Sequence, residues 1–444
     1  MKLKTIILLP LVLAVAAACA KKEEILEGPR FDVRTPLAEA FPAEDGSVPA
    51  PVQVENRALP IRLPAEANIS AWTHRNGGPD RRLGNPALAR DLTRLWSANI
   101  GAGNSRRARL TADPVVAGGL IFTMDSAARV MAHSPIGSAV WVRDLTPPSD
   151  RQGEVSGGGL AWADGVLYAT TGYGEVVAMN ASDGAELWRQ KLDAPVTAAP
   201  TVFRDRVFVV SRDNRAWALK TRNGRIAWQQ QSTRADAGLI GGASPAAAGR
   251  SVILPFSSGE LISALTRNGL RTWSVAVSGG RLGQGLSDIG DISSDPVVTR
   301  DRVYAANQSG RITAVSRRDG KRIWTANLGS YSPVWPVDNS VFLVSDAAQL
   351  VRLDARDGSI IWAVDLPRWR KDRTRKDAYV HYGPVLAGGR LIVASSDGGL
   401  RSFDPVSGAL ISTIDIPSGA ASHPAIVDGV LYVLGQNGQL HAYR

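Results

Sequence analysis

The side chains of this 444-residue chain that could do chemistry are few and far apart. Its five histidines, His74, His133, His381, His423 and His441, share no His-x-His or His-Glu-x-x-His spacing, so no local zinc or nucleophile constellation is encoded. No Asp-x-Asp cluster with calcium-loop spacing appears. The glycine runs Gly157-Gly158-Gly159 and Gly241-Gly242 lack a following Lys-Ser/Thr and open no helix; they read as strand-end turns, not phosphate cradles. Two stretches are unusual. Residues 278–291 form a long connection that mixes the apolar Leu282, Leu286 and Ile289 with Asp288 and Asp291. Long loops on a rigid scaffold tend to carry function, a solvated connection being the plainer reading. Residues 368–377 hold six basic and two acidic side chains around Trp369. Such a run reads first as a solvated loop, and otherwise as a contact with an acidic partner or lipid headgroups.

The single cysteine, Cys19, sits at the end of a targeting segment. Met1-Lys2-Leu3-Lys4 is a short basic start and Thr5 to Ala18 an apolar core ending in small residues, too short to span a membrane comfortably. The segment resembles the bacterial lipoprotein signal, which implies removal of residues 1–18 and acylation of Cys19; Ala20 after it then favours the outer membrane. An exported chain with one cysteine can have no internal disulfide. The formal charge of +10 includes Lys2 and Lys4, so the mature chain carries about +8. Export argues against nucleic acid as a partner, and the charge biases the protein toward anionic surfaces or acidic partners. Residues 19–90 are dense in proline and read as an extended tether, with Trp72 an apolar anchor that docks on the globule.

From residue 91 to 444 the chain repeats one unit. A short apolar strand, a Gly-containing turn and a Trp-bearing return strand recur, with the tryptophans at Trp96, Trp141, Trp188, Trp228, Trp273, Trp324 and Trp362 and Ile411 in the eighth place. Asp183-Gly184, Asn223-Gly224, Asn268-Gly269, Asp319-Gly320, Asp357-Gly358 and Ser407-Gly408 supply tight turns. A hairpin of this size cannot bury its own apolar face, so copies must stack. A period of 38 to 51 residues with four short strands per copy predicts an all-β, eight-bladed β-propeller. The chain begins this region with a Trp strand that has no unit before it and ends on a third strand with no Trp strand after it. Pairing the two closes the ring and is expected to leave no sheet edge open.

The repeat resembles the quinoprotein-type (PQQ-like) propeller repeat, in which the tryptophan stacks between neighbouring blades. Enzymes with that repeat are quinone-dependent dehydrogenases that bind Ca²⁺ and often set an adjacent cysteine pair against the cofactor, whereas Cys19 stands alone here. An exported, lipid-anchored propeller of this type resembles the BamB family of outer membrane protein assembly factors, in its α-proteobacterial form. The resemblance covers most of residues 71–444. It is strongest in Ser105-Arg-Arg-Ala-Arg-Leu-Thr-Ala-Asp-Pro-Val-Val116, Leu286-Ser-Asp-Ile-Gly-Asp-Ile-Ser-Ser-Asp-Pro-Val-Val298 and Tyr382-Gly-Pro-Val-Leu-Ala-Gly-Gly-Arg-Leu-Ile392. It implies a non-catalytic scaffold without cofactor or metal, monomeric within a hetero-complex. Such a scaffold docks through neighbouring inter-blade loops onto the periplasmic repeats of the barrel-forming subunit and assists insertion of outer-membrane β-barrels. The family's Leu-Ser-Asp contact with its second Asp is similar to Leu286, Asp288 and Asp291, with spacing different by a residue or two. A second contact segment is matched in part by Leu239 and Ile240, the isoleucine standing where the family has arginine. A PQQ-dependent dehydrogenase is the alternative, and capture of unfolded chains on an open strand edge ranks below both.

Overall fold

A computed structural model describes residues 55–444, apart from 197, 236–240, 278, 280–288 and 375. Its framework is eight four-stranded antiparallel sheets, the expected propeller. Blade 1 is built from Val115–Ala117, Leu120–Met124, Arg129–His133 and Ala139–Asp144. Blades 2 to 7 repeat this meander, with outer strands Glu186–Lys191, Ile226–Gln231, Arg271–Ala276, Arg322–Ala326, Ile360–Asp365 and Leu410–Asp415. Blade 8 takes three strands from the C-terminus, and its outer strand, Arg94–Asn99, comes from the other end of the chain and pairs with Gln439–Tyr443. Inner strand 425–427 of blade 8 packs against inner strand 115–117 of blade 1, so the ring is closed. In every blade a β-bulge interrupts the pairing of third and outer strands at the same place, which increases the local twist.

The tryptophans show how one blade holds the next. Each indole lies against the glycine of the following blade's tight turn. A Cβ built on Gly320 would stand 2.8 Å from Trp273, and one on Gly358 would stand 2.6 Å from Trp324. These glycines also have positive φ, 72° and 78°, so both the turn and the indole exclude a side chain. In six of the seven, all but Trp362, the indole N–H then donates across the blade boundary, as from Trp141 to the Ala181 carbonyl (2.9 Å), Trp228 to Thr266 (3.1 Å) and Trp324 to Ala355 (2.8 Å). Blade 8 has no such turn, because its outer strand arrives from the N-terminus. The outer strand of blade 7 therefore has no receptor for an indole, which is why Ile411 can replace tryptophan there.

Two expectations need correction. Closing the ring joins the blades but leaves the outer strand of each blade with one unpaired side, so edges remain. On blade 6 that edge is partly covered: the Asn56 amide exchanges hydrogen bonds with Ala363 (3.0 and 2.9 Å) and the Arg57 N–H donates to the Ile361 carbonyl (3.0 Å). Residues 55–90, expected to be tether, are instead part of the globular body, which as a compact unit spans Gln53–Arg444. Backbone hydrogen bonds seat this strap on the inner strands and on the turns that follow them around the ring. Trp72 exchanges two with Val116, and others join Thr73 to Trp162, Pro79 to Ala247, Asp80 to Val298, Pro86 to Gly388 and Ile69 to Asp428. Trp72, 1% exposed, is the docked anchor that the sequence suggested. Proline density reports the lack of regular structure in this segment, not the lack of contacts.

Candidate functional site

In a four-stranded antiparallel meander, the connection from an outer strand to the next inner strand falls on the face opposite the turn between first and second strands. The connection from blade 3 to blade 4 contains Leu239 and Ile240, and that from blade 4 to blade 5 contains Leu286, Asp288 and Asp291. The described ends of these two connections, residues 241–245 and 289–295, are neighbours on the face away from the strap. Leu239, Ile240, Leu286 and Asp288 themselves lie outside the described residues. Asp291 is described and is buried at 3% exposure, so its carboxylate is held inside the body. The descending ends are tied down: the Gln308 amide donates to the Ile289 carbonyl (2.9 Å), and the Ser244 N–H of one connection donates to Asp295 of the other (2.8 Å).

Beneath these loops lies a buried polar collar that no local motif announced. Seven of the eight units enter the inner strand through a proline, and the residues before it are Asp113, Ala199, Ser244, Asp295, Ser332, Gly383 and His423. These positions converge because the inner strands line the centre of the ring. Arg75 and Arg81 of the strap reach the collar. Arg75 pairs with Asp113 and, at 3.1 Å, with Asp295; Arg81 Nε lies 3.2 Å from Asp295 Oδ2. Arg81 Nη2 also donates to Thr201 Oγ1 (2.6 Å) and to the Pro245 carbonyl (2.8 Å). Both Arg81 and Asp295 are fully buried, and Arg81 has φ 63°, a strained conformation held by these contacts. Burial alone would push the Asp113 carboxyl up, but His423 and Arg75 beside it hold it well below the usual carboxylate range. Burial, and then the charge of Arg81, lowers the pKa of His74 far below its ordinary value. The His74 Nε2 accepts the Val202 N–H at 3.0 Å.

One part of the collar has the connectivity of a hydrolytic triad. Ser332 Oγ lies 3.0 Å from His423 Nε2, and His423 Nδ1 lies 3.1 Å from Asp113. The surroundings argue for a structural role. Ser332 is 3% exposed, Asp113 is already committed to Arg75, and the Tyr382 ring stands edge-on against His423 at 5.4 Å. A nucleophile must meet its substrate, whereas this chain of bonds cross-links the entries to blades 1, 6 and 8. Among the described residues no group of three or more His, Cys, Asp or Glu could hold a metal. At the collar the guanidinium of Arg75 bridges the entries to blades 1 and 5.

The family model described as outer membrane protein assembly factor BamB matches residues 126–364 and 367–444. The BamB protein of Shewanella oneidensis is 27% identical over 354 residues, covering 78% of this chain and 87% of that relative. Among solved structures, BamB from Moraxella catarrhalis superposes with a TM-score of 0.64 at 20% identity, covering 80% of this chain and 98% of that one. A quinohemoprotein alcohol dehydrogenase from Comamonas testosteroni superposes with a TM-score of 0.66 at 14% identity, covering 85% and 81%. At such identities the structural likeness speaks for the fold alone.

Proposed function

The chain belongs to the BamB family of outer membrane protein assembly factors, and from that premise we propose that it is a non-catalytic accessory subunit of the outer-membrane β-barrel assembly machinery. It is anchored to the periplasmic face of the outer membrane by lipid on Cys19. It binds the periplasmic repeats of the barrel-forming subunit through the connections that enter blades 4 and 5. The observation that supports this reading is the hydrogen bonding that fixes the described ends of those two connections, Ser244 to Asp295 and Gln308 to Ile289. Leu239, Ile240, Leu286 and Asp288 make the contact. Asp291, buried in the body, supports the loop from below, with its partner role reduced to positioning. Apolar side chains ringed by a few charges suit a protein interface, where the apolar centre supplies most of the affinity. The test is co-purification of the barrel-forming subunit with Leu286→Glu and Asp288→Arg variants. Each is expected to lose most of the bound subunit while melting like the parent, and undiminished co-purification in both would remove the site assignment.

A further inference from the structure

The basic run after blade 6 is a hairpin. Trp369–Lys371 pairs with Lys376–Ala378 through a short 3-10 turn, as a two-stranded sheet joined to no blade. Such a sheet is marginal in water by itself. Its register also sets Lys371 opposite Lys376, like charges at a directly paired position, which destabilises a free hairpin. Lys371 lies 3.9 Å from Asp377, an ion pair between exposed side chains that compensates little. Arg370, Arg373 and Lys376 are exposed and make no ion pair among the described residues. The Arg368 guanidinium lies over the half-buried Trp369 ring at 5.0 Å, so an aromatic plane sits at the base of the cationic tip.

The position of the hairpin says what could meet it. It projects from the end of blade 6's outer strand, Ile360–Asp365. Residues 56 and 57 run antiparallel to that strand, with Asn56 at Ala363 and Arg57 at Ile361, before the strap continues to Asp338 at the blade's opposite end. The chain coming from the N-terminus therefore enters the body on the side from which the hairpin projects. Between Cys19 and this entry lie roughly 36 residues, with a reach of up to about 120 Å, so a lipid on Cys19 would hold the body near a membrane without orienting it. We propose that the hairpin docks on anionic lipid headgroups of that membrane through Arg370, Arg373 and Lys376, with Trp369 at the headgroup level. The identity of the membrane rests on reading Cys19 as the lipid anchor; the docking itself does not.

The mature chain carrying Cys19→Ser, which cannot be acylated, is floated with vesicles of phosphatidylcholine alone or with about one third phosphatidylglycerol. Flotation with the anionic vesicles only, released by high salt, is expected. The triple variant Arg370→Glu, Arg373→Glu, Lys376→Glu should bind at least about 100-fold more weakly with an unchanged melting curve. Equal flotation with neutral vesicles, absence of flotation, or a triple variant that binds like its parent overturns the proposal. A triple variant that floats normally but loses a co-purifying envelope protein overturns it in favour of an acidic protein partner. Acylation is read separately, by mass spectrometry of the N-terminal peptide from the wild-type chain. An unmodified Cys19 with charge-dependent flotation would remove the anchor and leave the hairpin's docking standing, whereas an acylated Cys19 without flotation would do the reverse.

Discussion

Arg81→Ala removes a fully buried cation and leaves Asp295, itself fully buried, with one guanidinium fewer. Breaking a buried pair from one side costs about 3–5 kcal/mol, because the remaining charge cannot return to water. The substitution also strips a donor from Thr201 Oγ1 and from the Pro245 carbonyl, losses that act in the same direction. The unfolding entropy is about 2.1 cal/mol/K per residue. A body of roughly 390 residues thus moves by about 1.2 °C per kcal/mol, and Arg81→Ala should lower Tm by about 4–6 °C. Differential scanning calorimetry on the parent, Arg81→Ala and Arg82→Ala makes the comparison, since exposed Arg82 should change Tm by less than about 0.6 °C. A cycle with Asp295→Asn should give a coupling of at least about 1 kcal/mol. If Arg81→Ala melted within 1 °C of the parent, the strap's side chains would not be holding the collar.

Other consequences can be checked in the same way. Gly320→Ala places a methyl 2.8 Å from Trp273 at φ 72° and should cost about 1–3 kcal/mol in urea unfolding, where a neutral result would dismiss the indole-on-glycine contact. Trp324→Ala should cost about 3–5 kcal/mol, whereas Ile411→Ala, 43% exposed with no indole receptor facing it, should cost under about 1.5 kcal/mol; equal costs would contradict the account of the eighth place. His74, and with it His133, His381 and His441, has its pKa lowered chiefly by burial. The unfolded chain therefore takes up protons near pH 6.5 that the folded chain refuses, and stability is complete above that pH and lost as pH falls below it. Tm should drop between pH 7 and pH 5, and the depressed Asp113 extends the loss below about pH 4; a rise on acidification would contradict both assignments.

The propeller was legible because its cause is local and repeated. Asp319-Gly320 and Trp324 lie a few residues apart and recur at a period long enough for four strands, so one unit announces the rest. Ring closure was readable from the incomplete units at each end. The collar was harder, because its members are neighbours only after folding: Arg75 and Asp295 are 220 residues apart. A signal was present in the residue before the proline that opens seven of the inner strands, where Asp113, Ser244, Asp295, Ser332 and His423 break an otherwise apolar pattern. The strap carries no such signal, because its hydrogen bonds go to eight separate blades and leave no periodicity within residues 55–90. Closure of the ring joins blade to blade and leaves each sheet's outer edge open, so the incomplete units at the two ends say nothing about those edges.

Membership of the assembly machinery is read out by affinity purification of the tagged chain from detergent-solubilised envelope, with the bound proteins identified by mass spectrometry. An accessory subunit of the assembly machinery should bring down the barrel-forming subunit in near-stoichiometric amount, and Asp288→Arg should remove it without changing the melting curve. Recovery of the intact chain with no assembly subunit attached would contradict the account.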